Sequence, residues 1–260
     1  MSSGRSRHVP VLDADSVPQD HPEFAFDAEH LGIRDDLDGL IAVGGQFSTP
    51  WLQAAYRRGV FPWFIQDGKP FWFCPPVRCV LQPRQLYINR TLRKFLRHHR
   101  YRIWINRDRA GTVRNCAQHR HDDSGTWISP PYIELYPKQP NFISFEVYNE
   151  NDQMAGGLYG LVTGGIFCGE SQFSIESNTS KLAMTALCSW CIEHSVSFID
   201  CQLPNEYLES MGAQQMTRAE YLGRIQKIYS VIPQPEHIFA TSEYFLSREF
   251  SGRQDDSPRS

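Results

Sequence analysis

The second half of the chain alternates between apolar and polar residues in a way that predicts strands. The segments YRIWIN and FISFEVYN alternate along their length, and QMAGGLYGLVTGGIFCGE predicts two strands joined at Thr163-Gly164-Gly165. A helical segment, SNTSKLAMTALCSWCIEH, begins at Asn178 or Thr179, and the strand SFIDCQL follows it. This order of elements predicts an α/β (or α+β) fold, with helices packed on a mixed sheet.

The first part of the chain predicts a smaller unit. In GLIAVGGQFSTPWLQAAYRRGVFPWF, a short apolar segment and a glycine turn precede a helix that starts at Ser48 or Thr49, with Pro50 in its first turn. DGKPFWFCPP then predicts a turn and a strand that end at two prolines. The expected organisation is a flexible tail (1–30), a small N-terminal α+β domain (31–77), a larger domain (78–245) and a disordered tail (246–260).

The segment NRTLRKFLRHHR predicts a helix with one apolar and one basic face. Leu92, Phe95 and Leu96 share the side that would pack against the protein. The opposite side carries four cations: Arg90, Arg93, Lys94 and Arg97. Such a stripe is compatible with a solvated helix face or with contacts to the phosphates of a nucleic acid.

Composition limits the class of protein. The chain has 260 residues, is 41% hydrophobic and carries a formal net charge of −3, so a sizeable core is expected. It contains no run of about 20 apolar residues, and its N-terminus lacks the apolar segment of a signal peptide. We therefore expect a cytoplasmic protein with no membrane partner. Its seven cysteines form an odd number without a dense spacing, which favours reduced thiols.

Two short segments carry candidate chemistry. In FCGESQFS, Glu170 lies among small residues and phenylalanines. Because an unpaired buried carboxylate is costly, Glu170 is expected to face a cavity or to cap an element. In FIDCQ, strict alternation would place Asp200 and Gln202 on one face of a strand. That pair could orient a nucleophile and manage its proton, or it could lie on a surface edge.

No convincing metal site is present in the sequence. Cys188 and Cys191 have the spacing of half a zinc or redox site, but they lie within a helical pattern and lack a second pair. Cys116, His119 and His121 lack a fourth ligand. We therefore predict no metal.

Several motifs together resemble a known family. GLIAVGGQFSTPWLQAAYRRGVFPWF, WFCPPVRCVL, GTWIS, GGLYGLVTGGIFCGESQFS, NTSK and FIDCQLPN are similar, in order, to the leucyl/phenylalanyl-tRNA–protein transferase family, from Asp38 to Leu222. The resemblance implies a larger domain with a fold like that of GNAT acyltransferases. It also implies transfer of Leu or Phe from tRNA to an N-terminal Arg or Lys of proteins, which marks them for degradation in the N-degron pathway. Because an aminoacyl ester is already activated, no cofactor is expected.

The resemblance also implies roles for the polar residues. Gln202 would accept a hydrogen bond from the attacking amine, and Asp200 would orient Gln202 or assist proton removal. Glu170 would hold the cationic acceptor and Gln202. Which group takes the proton stays open, and the terminal ribose hydroxyl of the tRNA is another candidate.

Binding residues follow from the same resemblance. The predicted aminoacyl pocket consists of Leu158, Phe167, Met184, Leu187, Cys191 and Ile199, although the three helical members would otherwise be ordinary core residues. The residues expected near the terminal adenosine of the tRNA are Trp63, Trp127, Tyr136 and Asn205. For the two tryptophans, ordinary core packing is the alternative. The basic helix would contact the tRNA backbone.

Two departures from the family pattern bear on specificity. In the family pattern a methionine follows GES, but this chain has Gln172 there. The family usually has a histidine at the position of Ile143. The expected partners are Leu-tRNA and Phe-tRNA, with Met-tRNA as a further candidate, and proteins with N-terminal Arg or Lys. The alternatives are a related tRNA-dependent transferase acting on another peptide or a small amine, and a non-catalytic aminoacyl- or acyl-binding protein of the same fold.

Overall fold

The computed structural model describes residues 11–12, 26, 33–119, 126–231, 239–246 and 250. The strands are β1 (Val11–Leu12), β2 (Leu40–Gly44), β3 (Phe61–Gln66), β4 (Lys69–Phe73), β5 (Val77–Leu81), β6 (Arg102–Ile105), β7 (Phe142–Tyr148), β8 (Met154–Thr163), β9 (Ile166–Ser174), β10 (Phe198–Gln202), β11 (Gln214–Thr217) and β12 (Ser242–Tyr244). The helices are α1 (Thr49–Arg57), α2 (Arg90–His98), α3 (Arg109–Gln118), α4 (Pro130–Leu135), α5 (Thr179–Glu193), α6 (Glu206–Ser210) and α7 (Arg218–Val231).

A large sheet forms the centre of the molecule. Its eight strands follow the order β11-β5-β10-β9-β8-β7-β6-β12. β9 and β10 run parallel, whereas β9 pairs antiparallel with β8 and β10 pairs antiparallel with β5. Helix α5 packs against β7 and β8, and most of its residues are buried. The prediction of a mixed sheet with flanking helices is therefore confirmed.

A smaller sheet with the order β1-β2-β4-β3 precedes the large one, as expected for an N-terminal α+β unit. Trp51 of α1 and Trp72 of β4 are fully buried and pack in one cluster with Phe142 and Tyr159 of the large sheet. The two sheets therefore share a hydrophobic core. Pro75 and Pro76 lie between β4 and β5, but the exact domain boundaries stay a prediction, and most of the predicted tails lie outside the described residues.

Helix α2 has the two faces that the sequence predicts. The side chain of Asn89 accepts a hydrogen bond from the backbone N–H of Leu92 and caps the first turn. Leu92 and Leu96 are buried, Phe95 is half-buried, and the four cations of the stripe are exposed. Separately, no helix in the described part of the chain is long and apolar enough to cross a membrane.

Two irregularities interrupt the centre of the large sheet. On β9, Glu170 is an extra residue, because Tyr159 pairs with Ser171 and the next residue, Gly160, pairs with Gly169. On β10, the register with β5 shifts between Asp200 and Gln202, and Gln202 has a left-handed φ of 63°. Bulges of this kind redirect side chains, and here they lie at neighbouring positions on adjacent strands.

Candidate active site

A cavity of about 290 Å³ opens beside the two bulges. One wall consists of apolar residues that belong to the core on the α5 side of the large sheet. The other wall includes Trp63, Trp127 and Tyr159, which belong to the core shared with the small sheet. Glu170 and Gln202 also line the cavity, so an apolar compartment and two polar groups adjoin one another.

The predicted aminoacyl pocket largely coincides with the apolar wall. Five of its six members line the cavity: Leu158, Phe167, Met184, Leu187 and Ile199. Cys191 is fully buried in α5 and is not among the described residues that line the cavity. Cys191 lies one turn beyond Leu187 on α5, deeper in the core, and its place in the aminoacyl pocket stays a prediction.

The residues predicted near the tRNA adenosine separate into two groups. Trp63, Trp127 and Asn205 line the cavity. The Asn205 side chain also caps α6 by accepting a hydrogen bond from the Leu208 N–H at 2.9 Å. Tyr136 is fully buried and is absent from the described lining, so a direct contact with the adenosine is not supported.

Glu170 is the centre of the polar part of the cavity. Its Oε1 accepts hydrogen bonds from the Tyr56 hydroxyl at 2.6 Å and from Gln202 Nε2 at 3.2 Å. Its Oε2 is buried with no hydrogen-bond partner among the described residues. Burial raises the pKa of Glu170 to about 7, although the nearby hydroxyls of Tyr56 and Tyr136 oppose the rise.

Tyr136 acts on this carboxyl through a second tyrosine. The hydroxyls of Tyr56 and Tyr136 lie 2.9 Å apart in the buried core. With the hydroxyl proton of Tyr56 donated to Glu170, the Tyr136 hydroxyl can donate to Tyr56. This chain of hydrogen bonds fixes the Glu170 carboxyl at the edge of the cavity.

Asp200 is placed differently from the prediction. Its carboxylate, which is 0% exposed, is paired with Arg78 through contacts of 2.8 Å and 2.5 Å. It also accepts hydrogen bonds from the Tyr221 hydroxyl and from the backbone N–H of Gln202, at 2.8 Å and 2.9 Å. Burial alone would lower the pKa of Arg78, but Asp200 and Tyr221 outweigh burial and raise that pKa.

The expectation that Asp200 and Gln202 project together is wrong. The left-handed backbone at Gln202 breaks the alternation, so Gln202 joins Ile199 and Cys201 at the cavity, whereas Asp200 is not among the described lining residues. The four hydrogen bonds to Asp200 occupy its acceptor sites, so its carboxylate is fully engaged by the protein. Asp200 holds the backbone of Gln202 in place.

Sequence reasoning missed Arg78, Tyr56 and Tyr221. An arginine within the apolar strand VRCVL was the available signal, because a buried guanidinium requires a carboxylate partner.

The two residues that depart from the family pattern have different surroundings. Ile143 is fully buried in the core, whereas Gln172 lines the cavity.

The described residues also bear on metal binding. Within residues 33–119 and 126–231, no group of three His, Cys, Asp or Glu side chains converges as metal ligands would. His121 of the weak candidate metal site lies outside the described residues.

The cavity combines an apolar compartment with a carboxyl and an amide, an arrangement that can position an amine against an activated acyl group. The fold and the site thus define a group-transfer enzyme.

Comparison with known proteins identifies the family. The family described as "Leucyl/phenylalanyl-tRNA protein transferase" matches residues 80–226, and its N-terminal domain matches residues 45–76. A transferase of that name from Pseudoalteromonas translucida is 40% identical over 194 residues, covering 74% of this chain and 81% of the relative. One from Aeromonas hydrophila is 38% identical over 226 residues, covering 86% of this chain and 92% of the relative.

The chain belongs to the leucyl/phenylalanyl-tRNA–protein transferase family and is an aminoacyltransferase. The predicted family and enzyme class are confirmed. A solved structure, L-PGS from Bacillus licheniformis, has a TM-score of 0.35 and 11% identity, covering 66% of this chain and 56% of that one. That likeness is too low to add to the argument.

Proposed function

We propose that this enzyme transfers Leu or Phe from tRNA to the α-amine of proteins that begin with Arg or Lys, in the cytoplasm, as an N-degron tag. The observation that carries this proposal is the apolar compartment directly beside the Glu170–Gln202 pair. An aliphatic or aromatic side chain gains about 1.5–3 kcal/mol on full burial in such a compartment. The ester carbonyl of the same aminoacyl group would then lie near the polar pair.

Gln202 is the group best placed to orient the attacking amine. Its Nε2 donates to Glu170, so its Oε1 is the end of the amide that can accept a hydrogen bond from the amine. The amine attacks the ester carbonyl, a C–N bond forms and the C–O bond to the ribose breaks. The proton lost by the nitrogen is finally carried by the ribose oxygen.

Glu170 supplies a carboxyl group that can hold the cationic acceptor and change its protonation state near neutral pH. With a pKa of about 7, this carboxyl changes protonation near the pH at which an α-amine becomes neutral, about 8. Its Oε2 faces no donor among the described residues and can accept from the cationic acceptor. Asp200 is a positioning residue, because it acts on Gln202 through the backbone N–H.

The tRNA would be held by two further features. Trp63 and Trp127 offer half-buried aromatic surfaces at the cavity, and stacking of an unpaired base is worth about 1–3 kcal/mol. The exposed cations of α2 would contact the phosphates. Met-tRNA is a further donor that the apolar compartment could accept.

The decisive experiment supplies Leu-, Phe- and Met-charged tRNA together with peptides that differ only at the N-terminal residue. We expect transfer to N-terminal Arg and Lys without added nucleotide or metal, and loss of transfer in Gln202→Ala with charged-tRNA affinity retained. Glu176→Gln, a change at a carboxylate outside the cavity lining, serves as the control. Transfer confined to another peptide or a small amine would refute the proposed acceptor, and binding without turnover would indicate a non-catalytic protein.

A further inference from the structure

Gln172 introduces an unsatisfied polar group into the apolar compartment. Its side chain lines the cavity, and its Oε1 is buried without a hydrogen bond to any described residue. The Tyr207 hydroxyl is also buried. Tyr207 is close enough to Gln172 and Ser180 for both to influence its phenol. A small polar cluster therefore adjoins a compartment that is otherwise hydrocarbon.

The sheet register shows which part of a substrate would meet Gln172. Gln172 pairs directly with Leu158 across β9 and β8, so the two side chains share one face of the sheet. Leu158 packs with Met184 and Leu187 in the core on the α5 side. The tryptophans expected to hold the adenosine belong to the other core. Gln172 is therefore on the side of the amino-acid side chain and away from the nucleobase.

A buried amide discriminates among side chains. When a hydrocarbon group fills the compartment, the buried Gln172 Oε1 stays without a hydrogen-bond partner, which is unfavourable. A side chain with a hydroxyl can supply that hydrogen bond. A phenol both donates and accepts, so it can pair with either end of the amide. Sites that hydrogen-bond a substrate hydroxyl discriminate strongly against analogues that lack it.

We infer that Gln172 is a specificity residue that extends the donor range of this enzyme to tyrosyl-tRNA, with the phenol hydroxyl bonded to the Gln172 amide. The inference rests on the proposed function, because it assumes that the compartment holds the aminoacyl side chain. Tyrosine provides the apolar ring for Leu158 and Leu187 and the polar tip for Gln172. The chemistry of transfer is unchanged.

The test charges one tRNA body with Phe or Tyr, so that only the donor side chain differs, and measures kcat/KM for transfer to an Arg peptide. We expect the wild type to use Tyr at least as well as Phe. Gln172→Met keeps the length of the side chain and removes its polar atoms, and it should lower the Tyr-to-Phe ratio about tenfold or more. Gln66→Met, at an exposed position away from the cavity lining, should leave the ratio unchanged.

A binding measurement separates this inference from the proposed function. Adenosine analogues that carry Phe or Tyr through a stable 3′-amide report the side-chain preference even without transfer. Transfer with a Tyr-to-Phe ratio that is the same in wild type and Gln172→Met would overturn the inference and leave the proposed function standing. If the variant fails to fold, a wild-type preference for Phe of tenfold or more over Tyr, in transfer or analogue binding, would overturn it equally. Absence of transfer, with the expected preference in analogue binding, would overturn the proposed function alone.

Discussion

Replacing Glu170 by Gln should remove a loss of stability that the parent protein shows as the pH rises from 5 to 8. The pKa of this buried carboxyl is raised from its ordinary 4.5 to about 7 by desolvation, so the folded state binds the proton more tightly than the unfolded chain. The parent therefore loses stability as the pH rises from about 4.5 to 7. A shift of this size corresponds to about 3 kcal/mol, whereas the amide of the Glu170→Gln variant has no proton to lose in this range.

The measurement is the free energy of unfolding in urea at pH 5 and pH 8, followed by tryptophan fluorescence. Any pH-independent cost of the substitution, such as an altered bond to Tyr56, is the same at both pH values and cancels in the comparison. Glu134→Gln, at an exposed position on α4, is the matched control and should show little change between the two pH values. A Glu170→Gln effect that is identical at pH 5 and pH 8 would refute a strongly raised pKa.

Three further predictions concern the basic helix, the buried ion pair and the bulge. Alanine at Arg93, Lys94 and Arg97 should weaken charged-tRNA binding and reduce its log–log salt slope by about 2–3; titrations with an unchanged slope would make the stripe a solvated face. Asp200→Asn should lower the free energy of unfolding by about 3–5 kcal/mol, because the buried guanidinium of its partner loses its counter-charge; a loss under about 1 kcal/mol in urea would contradict this. Gly160→Ala should lower Tm markedly, since a Cβ there would lie 2.2 Å from a backbone carbonyl of β9; a parental Tm by calorimetry would show that the bulge can relax.

Local pattern determined much of the architecture. Alternation in FISFEVYN and SFIDCQL predicts β7 and β10, and the helical pattern after Asn178 predicts α5. The faces of α2 follow from spacing alone, because side chains three and four positions apart lie on one side of a helix. The family motifs also predict an aminoacyl pocket, and five of its six residues line one cavity, although their role stays a prediction.

Tertiary structure decided how the polar groups meet. Strict alternation places Asp200 beside Gln202, but one left-handed residue separates their side chains, and the alternation pattern does not reveal where a bulge will interrupt a strand. Tyr56 bonds to Glu170 across 114 positions of sequence, and Arg78 bonds to Asp200 across 122. Such pairs exist because buried charges need partners, and only the folded chain determines which distant side chain becomes that partner.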